Sequence, residues 1–149
     1  MNKLSVRSMS EKDVRWLEGG LKNLGFFSKL SVSQLASLLP YMTVGDCPKG
    51  HVVVRQGTQG NRLYLIQKGK VEILRSGKRV ASLGGGQFFG EMALLFKQPR
   101  SATVRCSSAC ALFSLGNTDL QRIMRKNPSV GRQIKKIAEK RRLELEQMS

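Results

Sequence analysis

Apolar positions along this chain change their period twice, and the two changes divide it into three parts. Near the N-terminus Val14, Leu17, Leu21 and Leu24 recur at helical spacing before Gly25. Ser10-Glu11-Lys12-Asp13 stands ahead of them as a capping box, in which hydroxyl and carboxylate satisfy each other's backbone N–H. Ser31-Val32-Ser33-Gln34 opens a second short helix carrying Leu35, Leu38 and Leu39, stopped at Pro40, with Phe26 and Phe27 in the corner between the two. From Thr43 the helical period is lost. Val52-Val53-Val54, Leu63-Tyr64-Leu65-Ile66, Val71-Glu72-Ile73-Leu74, Val80-Ala81-Ser82-Leu83, Ala102-Thr103-Val104 and Ala111-Leu112-Phe113 read as short strands. Turns such as Ser76-Gly77-Lys78 and Gly84-Gly85-Gly86 separate them, and many short strands at this spacing predict a sandwich or jelly-roll barrel. Helical signals return at Thr118-Asp119-Leu120-Gln121, again patterned as a capping box, and at Asn127-Pro128, where Asn caps and Pro occupies the first turn. Val130, Ile134, Ile137, Leu145 and Met148 then run along one side of a last helix. The pattern predicts an α+β fold: an antiparallel β-roll, jelly-roll-like, flanked by N-terminal helices and by C-terminal helices. Its parts are residues 1–42, 43–116 and 117–149, expected to form one domain.

Composition narrows the function classes. A chain of 149 residues buries one core and little more. No apolar run approaches a membrane span and the N-terminus lacks a signal-peptide core, so a cytoplasmic domain, or the cytoplasmic domain of a larger protein, is expected. Three cysteines, Cys47, Cys106 and Cys110, are an odd count that suggests no disulfide framework, and reduced thiols are expected. With His51 the only histidine, the residues offer no set of metal ligands, and no metal is expected. Nor does any nucleophile stand beside a base, so the chain does not read as an enzyme, and a metal-dependent jelly-roll enzyme is disfavoured on the same ground.

Charge is the strongest compositional signal. Lys and Arg number 26 against 10 acids, a formal charge of +16. Much of the excess lies in Arg122, Arg125, Lys126, Arg132, Lys135, Lys136, Lys140, Arg141 and Arg142, with Glu139 the one acid among them. Charge runs are usually solvated helix faces, although such a face also suits nucleic acid, anionic membrane or an acidic partner domain. A positive field of this size favours association with any small anion.

Candidate chemistry concentrates in Phe88-Phe89-Gly90-Glu91-Met92-Ala93-Leu94-Leu95 and the following Pro99-Arg100-Ser101-Ala102-Thr103-Val104. This stretch sets one carboxylate in an apolar, glycine-led turn and one guanidinium nine residues later. A buried Glu is costly without hydrogen-bond donors and a buried Arg is costly without an anion. Between Asp46 and Asp119 the only acids are Glu72 and Glu91, so Arg100 has few carboxylates within reach in sequence. Glu91 to Leu95 reads as one helical turn whose leading amides suit an anion. Arg100 would add a charge-assisted contact from a strand-like support. A ligand carrying both hydroxyls and a phosphate would satisfy both groups.

The stretch from Phe89 to Cys106 resembles the phosphate-binding cassette of the cyclic-nucleotide-binding domain family: apolar-Gly-Glu-x-small-apolar, a spacer, then Arg-small-Ala-x-apolar-x-small. A second pattern of that family is complete in Val53 to Gly69, with Asn61 standing where many relatives carry an acid. The resemblance covers nearly the whole chain from about Leu21. It implies a regulatory module that binds cAMP or cGMP as ligand, needs no cofactor, and passes the signal through its C-terminal helix to an effector. Carried over by position, Glu91 would accept from the ribose 2′-hydroxyl, while Arg100 and the amides of Met92 and Ala93 would hold the cyclic phosphate, with Gly90 permitting close approach. Ser101 would offer a hydroxyl toward a guanine amino group. Ile73 and Ala81 would line the base, and Ile134 and Lys135 would belong to a lid. These four are as readily ordinary packing or a solvated charge. Two other readings stand beside this one. One is the sensor half of a transcription regulator lacking its DNA-binding part, since 149 residues leave no room for a helix-turn-helix after the last helix. The other is a degenerate roll that serves as a protein-interaction module.

Overall fold

A computed structural model describes residues 5–20, 39–90 and 99–147. Residues 31–38 of the expected second helix, the continuation of the first helix to Leu21 and Leu24, and the helical turn after Gly90 lie outside these residues.

Nine strands and three helices follow one another in the described residues. β1 (Ser5–Arg7) precedes α1 (Glu11–Gly20), and a 3₁₀ turn (Leu39–Tyr41) leads into β2 (Met42–Cys47). Then come β3 (Val52–Val54), β4 (Arg62–Lys68), β5 (Lys70–Arg75), β6 (Lys78–Gly84), β7 (Phe88–Phe89), β8 (Thr103–Cys106) and β9 (Cys110–Gly116). α2 (Asn117–Lys126) and α3 (Pro128–Gln147) end the chain. One sheet runs β1-β2-β9-β4-β7 and the other β3-β8-β5-β6, with antiparallel pairing throughout. The α+β roll expected from the sequence is therefore the fold.

Three strands escaped the pattern. β1 and β2 pair with each other, and β2 carries Thr43, Gly45 and Asp46 among its apolar residues, which hides its period. β7 is only two residues long.

The five-stranded sheet is a middle layer, covered on both faces. Leu63, Leu65, Phe88, Phe113 and Leu115 cluster with Leu17 of α1 and Leu120 of α2. The alternate residues Ile66, Phe89 and Leu112 cluster with Val71, Val104 and Cys106 of the other sheet. β9, paired with β2 on one side and β4 on the other, is buried from Cys110 to Leu115. That is why its sequence reads as a continuous run rather than an alternation. The Trp16 ring lies 5.5 Å from that of Phe113 and joins α1 to this strand.

Helix starts are set by different means. At α1 the expected capping box is formed: the Ser10 N–H donates to the Asp13 carboxylate at 2.8 Å, and the Asp13 N–H donates to Ser10 Oγ at 3.2 Å. Asp13 is buried and also accepts from Gln67 Nε2 at 3.1 Å, which ties the helix start to β4. At α2 the sequence expectation fails. The helix begins at Asn117 with Gly116 as its N-cap and no side-chain capping bond, so Thr118 is already a helical residue. The physical reason is register: the Asn117 N–H donates to Asn61 O at 2.8 Å, and this tertiary bond starts the helix two residues before a Thr118 cap would. Asn127 ends α2, and Pro128 is the first residue of α3, as expected. The β5–β6 turn places Ser76 (φ 52°) and Gly77 (φ 82°) in the left-handed region, the two-residue hairpin geometry that suits the twist of the strands.

Candidate functional site

Arg100 is fixed by its main chain before its side chain makes any contact. Its N–H donates to Thr58 O at 2.7 Å, and its carbonyl accepts from the Gly57 N–H at 2.8 Å. The loop between β3 and β4 therefore grips the segment that leads into β8. From this anchor the side chain turns inward and is only 7% exposed, between exposed Pro99 and half-buried Ser101. Nη1 donates to Gly90 O at 2.9 Å and Nη2 to Arg62 O at 3.2 Å. Hydrogen bonds to main-chain carbonyls orient the guanidinium fork.

Two glycines make room for it. A Cβ on Gly60 would collide with Cζ and Nε of Arg100. A Cβ on Gly90 would lie 2.8 Å from Arg100 Nη1 and 2.8 Å from Arg62 O. Gly90 also has φ +96°, a conformation that L side chains rarely adopt, so two independent constraints demand glycine here. β7 delivers Gly90 to this place. Tyr64 and Phe89 are cross-strand partners with rings stacked at 5.1 Å, which seats the end of β7 against the start of β4.

The remaining sequence-predicted residues fall in three groups. Glu91, Met92 and Ala93 lie outside the described residues. Ile73 and Ala81 are direct cross-strand partners on β5 and β6; Ile73 packs on the inner core cluster and Ala81 is exposed. Ile73 is also opposite Val104 on β8, four residues beyond Arg100. Lys135 is exposed on α3, the helix that also carries Ile134, whose side chain is not among those described. Of the two acids near Arg100 in sequence, Glu72 belongs to another pairing: its carboxylate accepts from Arg105 Nε at 2.7 Å across the β5–β8 ladder. Sequence reasoning named Arg100 and Gly90 but missed Gly57, Thr58, Gly60 and Arg62 as its supports. Three of these act through main-chain atoms and one through a missing side chain; the glycines of the Gly57–Gly60 loop were the available signal.

Among the described residues no group of three or more His, Cys, Asp or Glu side chains is arranged to hold a metal ion. Nor is any described helix long and apolar enough to cross a membrane.

A roll of this architecture matches known proteins. The family model described as cyclic nucleotide-binding domain matches residues 45–127, more than half of the chain, and the chain belongs to this family. It is 30% identical over 121 residues to a cAMP-dependent protein kinase regulatory subunit of Yarrowia lipolytica, covering 81% of this chain and 32% of that protein. The chain spans from about a tenth to about a third of the length of such curated relatives. The solved regulatory domain of Toxoplasma gondii PKA with cAMP is 32% identical, with a TM-score of 0.72 over 78% of this chain and 46% of that one. A cyclic nucleotide-binding domain from Methylobacillus flagellatus shares the fold at a TM-score of 0.78 over 97% of this chain and 86% of that one, with 21% identity.

Proposed function

We propose that this chain is a cyclic-nucleotide sensor module, with cAMP or cGMP as its ligand, that reports occupancy through α3 to an effector. The observation that carries the reading is the Arg100 guanidinium, buried and aimed by the carbonyls of Gly90 and Arg62. In this reading the cyclic phosphate docks against the guanidinium fork that these carbonyls aim, in charge-assisted hydrogen bonds. The amides of Met92 and Ala93 add N–H donors to it, Gly90 leaves space for close approach, and Glu91 accepts from the ribose 2′-hydroxyl. Ser101 next to Arg100 offers a hydroxyl to the base, which makes it the residue that bears on the choice between adenine and guanine. Ile73 and Ala81 form an apolar floor, and α3 closes over the base with Ile134 and Lys135. A ligand moves such a helix only through contacts that differ between its open and closed positions. The roll does no chemistry on the nucleotide; residues 1–42, 43–116 and 117–149 act as one binding and signalling unit.

Arg100→Ala tests this directly. Removing one partner of a buried charge pair costs roughly 2–5 kcal/mol. Nucleotide affinity measured on folded mutant and wild type should therefore fall by on the order of 30-fold or more. Equal affinities would sink the role given to Arg100.

A further inference from the structure

Far along β8 from Arg100, the three cysteines that sequence scatters come together at one end of the roll. Cys47 is the last residue of β2, Cys106 the last of β8, and Cys110 the first of β9. All three are free and buried. The Sγ atoms of Cys47 and Cys106 are 3.1 Å apart, across 59 positions of sequence and between the two sheets. Cys110, although it is the cross-strand partner of Cys47, turns its thiol toward the carbonyls of Lys70 at 3.3 Å and Ser108 at 3.4 Å.

We propose that Cys47 and Cys106 are a specific oxidation site, converted by a hydroperoxide into a reversible disulfide that clasps the two sheets together, with Cys110 left as a free thiol. The Cys47 thiolate attacks one peroxide oxygen and the O–O bond breaks. The departing hydroxide takes up the proton lost by Cys47 and leaves as water, so Cys47 becomes a sulfenic acid. The Cys106 sulfur, losing its proton, then attacks the Cys47 sulfur, forms the S–S bond and expels hydroxide, which that proton converts to a second water. Two thiols and one hydrogen peroxide give one disulfide and two waters.

The hydrogen bond between the two thiols favours the thiolate of the accepting sulfur. With Cys106 as donor, that bond holds the Cys47 pKa below the ordinary thiol value, while the same bond and burial raise that of Cys106, the order written above. Burial, first among its causes, pushes the Cys110 thiol up to about 11, which keeps it protonated and unreactive. Access comes through the strand ends. Pro48, Lys49 and Gly50 after β2, and Ser107 and Ala109 between β8 and β9, are exposed turn residues. Fraying of such turns opens strand termini at far less cost than global unfolding, and hydrogen peroxide is small enough to follow.

The test is to treat the folded chain with hydrogen peroxide, remove the oxidant with catalase, alkylate remaining thiols in denaturant and map peptides without reduction. Two of the three thiols should disappear, a peptide joining Cys47 to Cys106 should appear, Cys110 should be alkylated, and dithiothreitol should restore all three. The Cys110→Ser variant should form the same link. Three alkylated thiols after oxidation, a link that uses Cys110, or sulfinic and sulfonic acids without a link would each overturn the proposal.

Discussion

The guanidinium of Arg100 lies in a slot whose walls are the missing side chains of Gly60 and Gly90. Adding one methyl to Gly60 would displace the end of the Arg100 side chain and force the fork out of line with the carbonyls of Gly90 and Arg62. Overpacking of this kind costs about 1–3 kcal/mol. Gly60→Ala should therefore weaken nucleotide binding by roughly tenfold or more, and calorimetry of the folded variant reads it. Gly77→Ala serves as the comparison: it sits at φ +82° with open space around its missing Cβ, so it should lower stability and leave affinity unchanged. Similar affinities for the two variants would mean that the slot does not govern the site. At this scale the sequence was informative about which residues carry charge and silent about what holds them. Arg100 and Gly90 were legible because a lone arginine and a glycine-led turn are unusual in an apolar stretch. The acceptors Gly90 O, Arg62 O and Thr58 O were not, since every residue has a carbonyl.

Helices α1 and α2 make the same point at the level of elements. Both sequences carry a hydroxyl residue followed by partners at capping-box spacing, yet only Ser10 and Asp13 form the reciprocal bonds. Asp13 also accepts from Gln67, so Asp13→Ala should cost about 1–3 kcal/mol by urea denaturation. Thr118→Ala, at a helical position with no capping role, should change stability by about 0.5 kcal/mol or less. A loss at Thr118 as large as that at Asp13 would contradict the assigned helix start. Strand β9 was legible as an apolar run, but its place as the central strand was not, since only the topology puts α1 and α2 on one face and the second sheet on the other. β1, β2 and β7 were hidden because a strand that is short, or interrupted by Gly45 and Asp46, has no period to read. The cysteine pair was hidden for a related reason: strand order, not spacing, brings residues 47 and 106 together.

In the whole molecule, layers and charge serve one arrangement. The middle sheet anchors β4 and β7, and β8 of the second sheet follows Arg100, so the candidate phosphate position lies where the two sheets meet. Around it the chain carries a formal charge of +16, which raises the local concentration of an anionic ligand and speeds encounter at low salt. The exposed Arg132, Lys135, Lys136 and Lys140 continue that field along α3, the element proposed to move. The account as a whole stands on the cyclic phosphate being held by the buried arginine, and calorimetric titration of the purified chain with cAMP, cGMP, adenosine and guanosine tests that most directly. Saturable one-site binding of cAMP or cGMP, with the matching nucleoside bound far more weakly, is the expected result. A folded sample that gives no saturable heat with either nucleotide, or that binds the nucleoside as tightly as its cyclic phosphate, would contradict it.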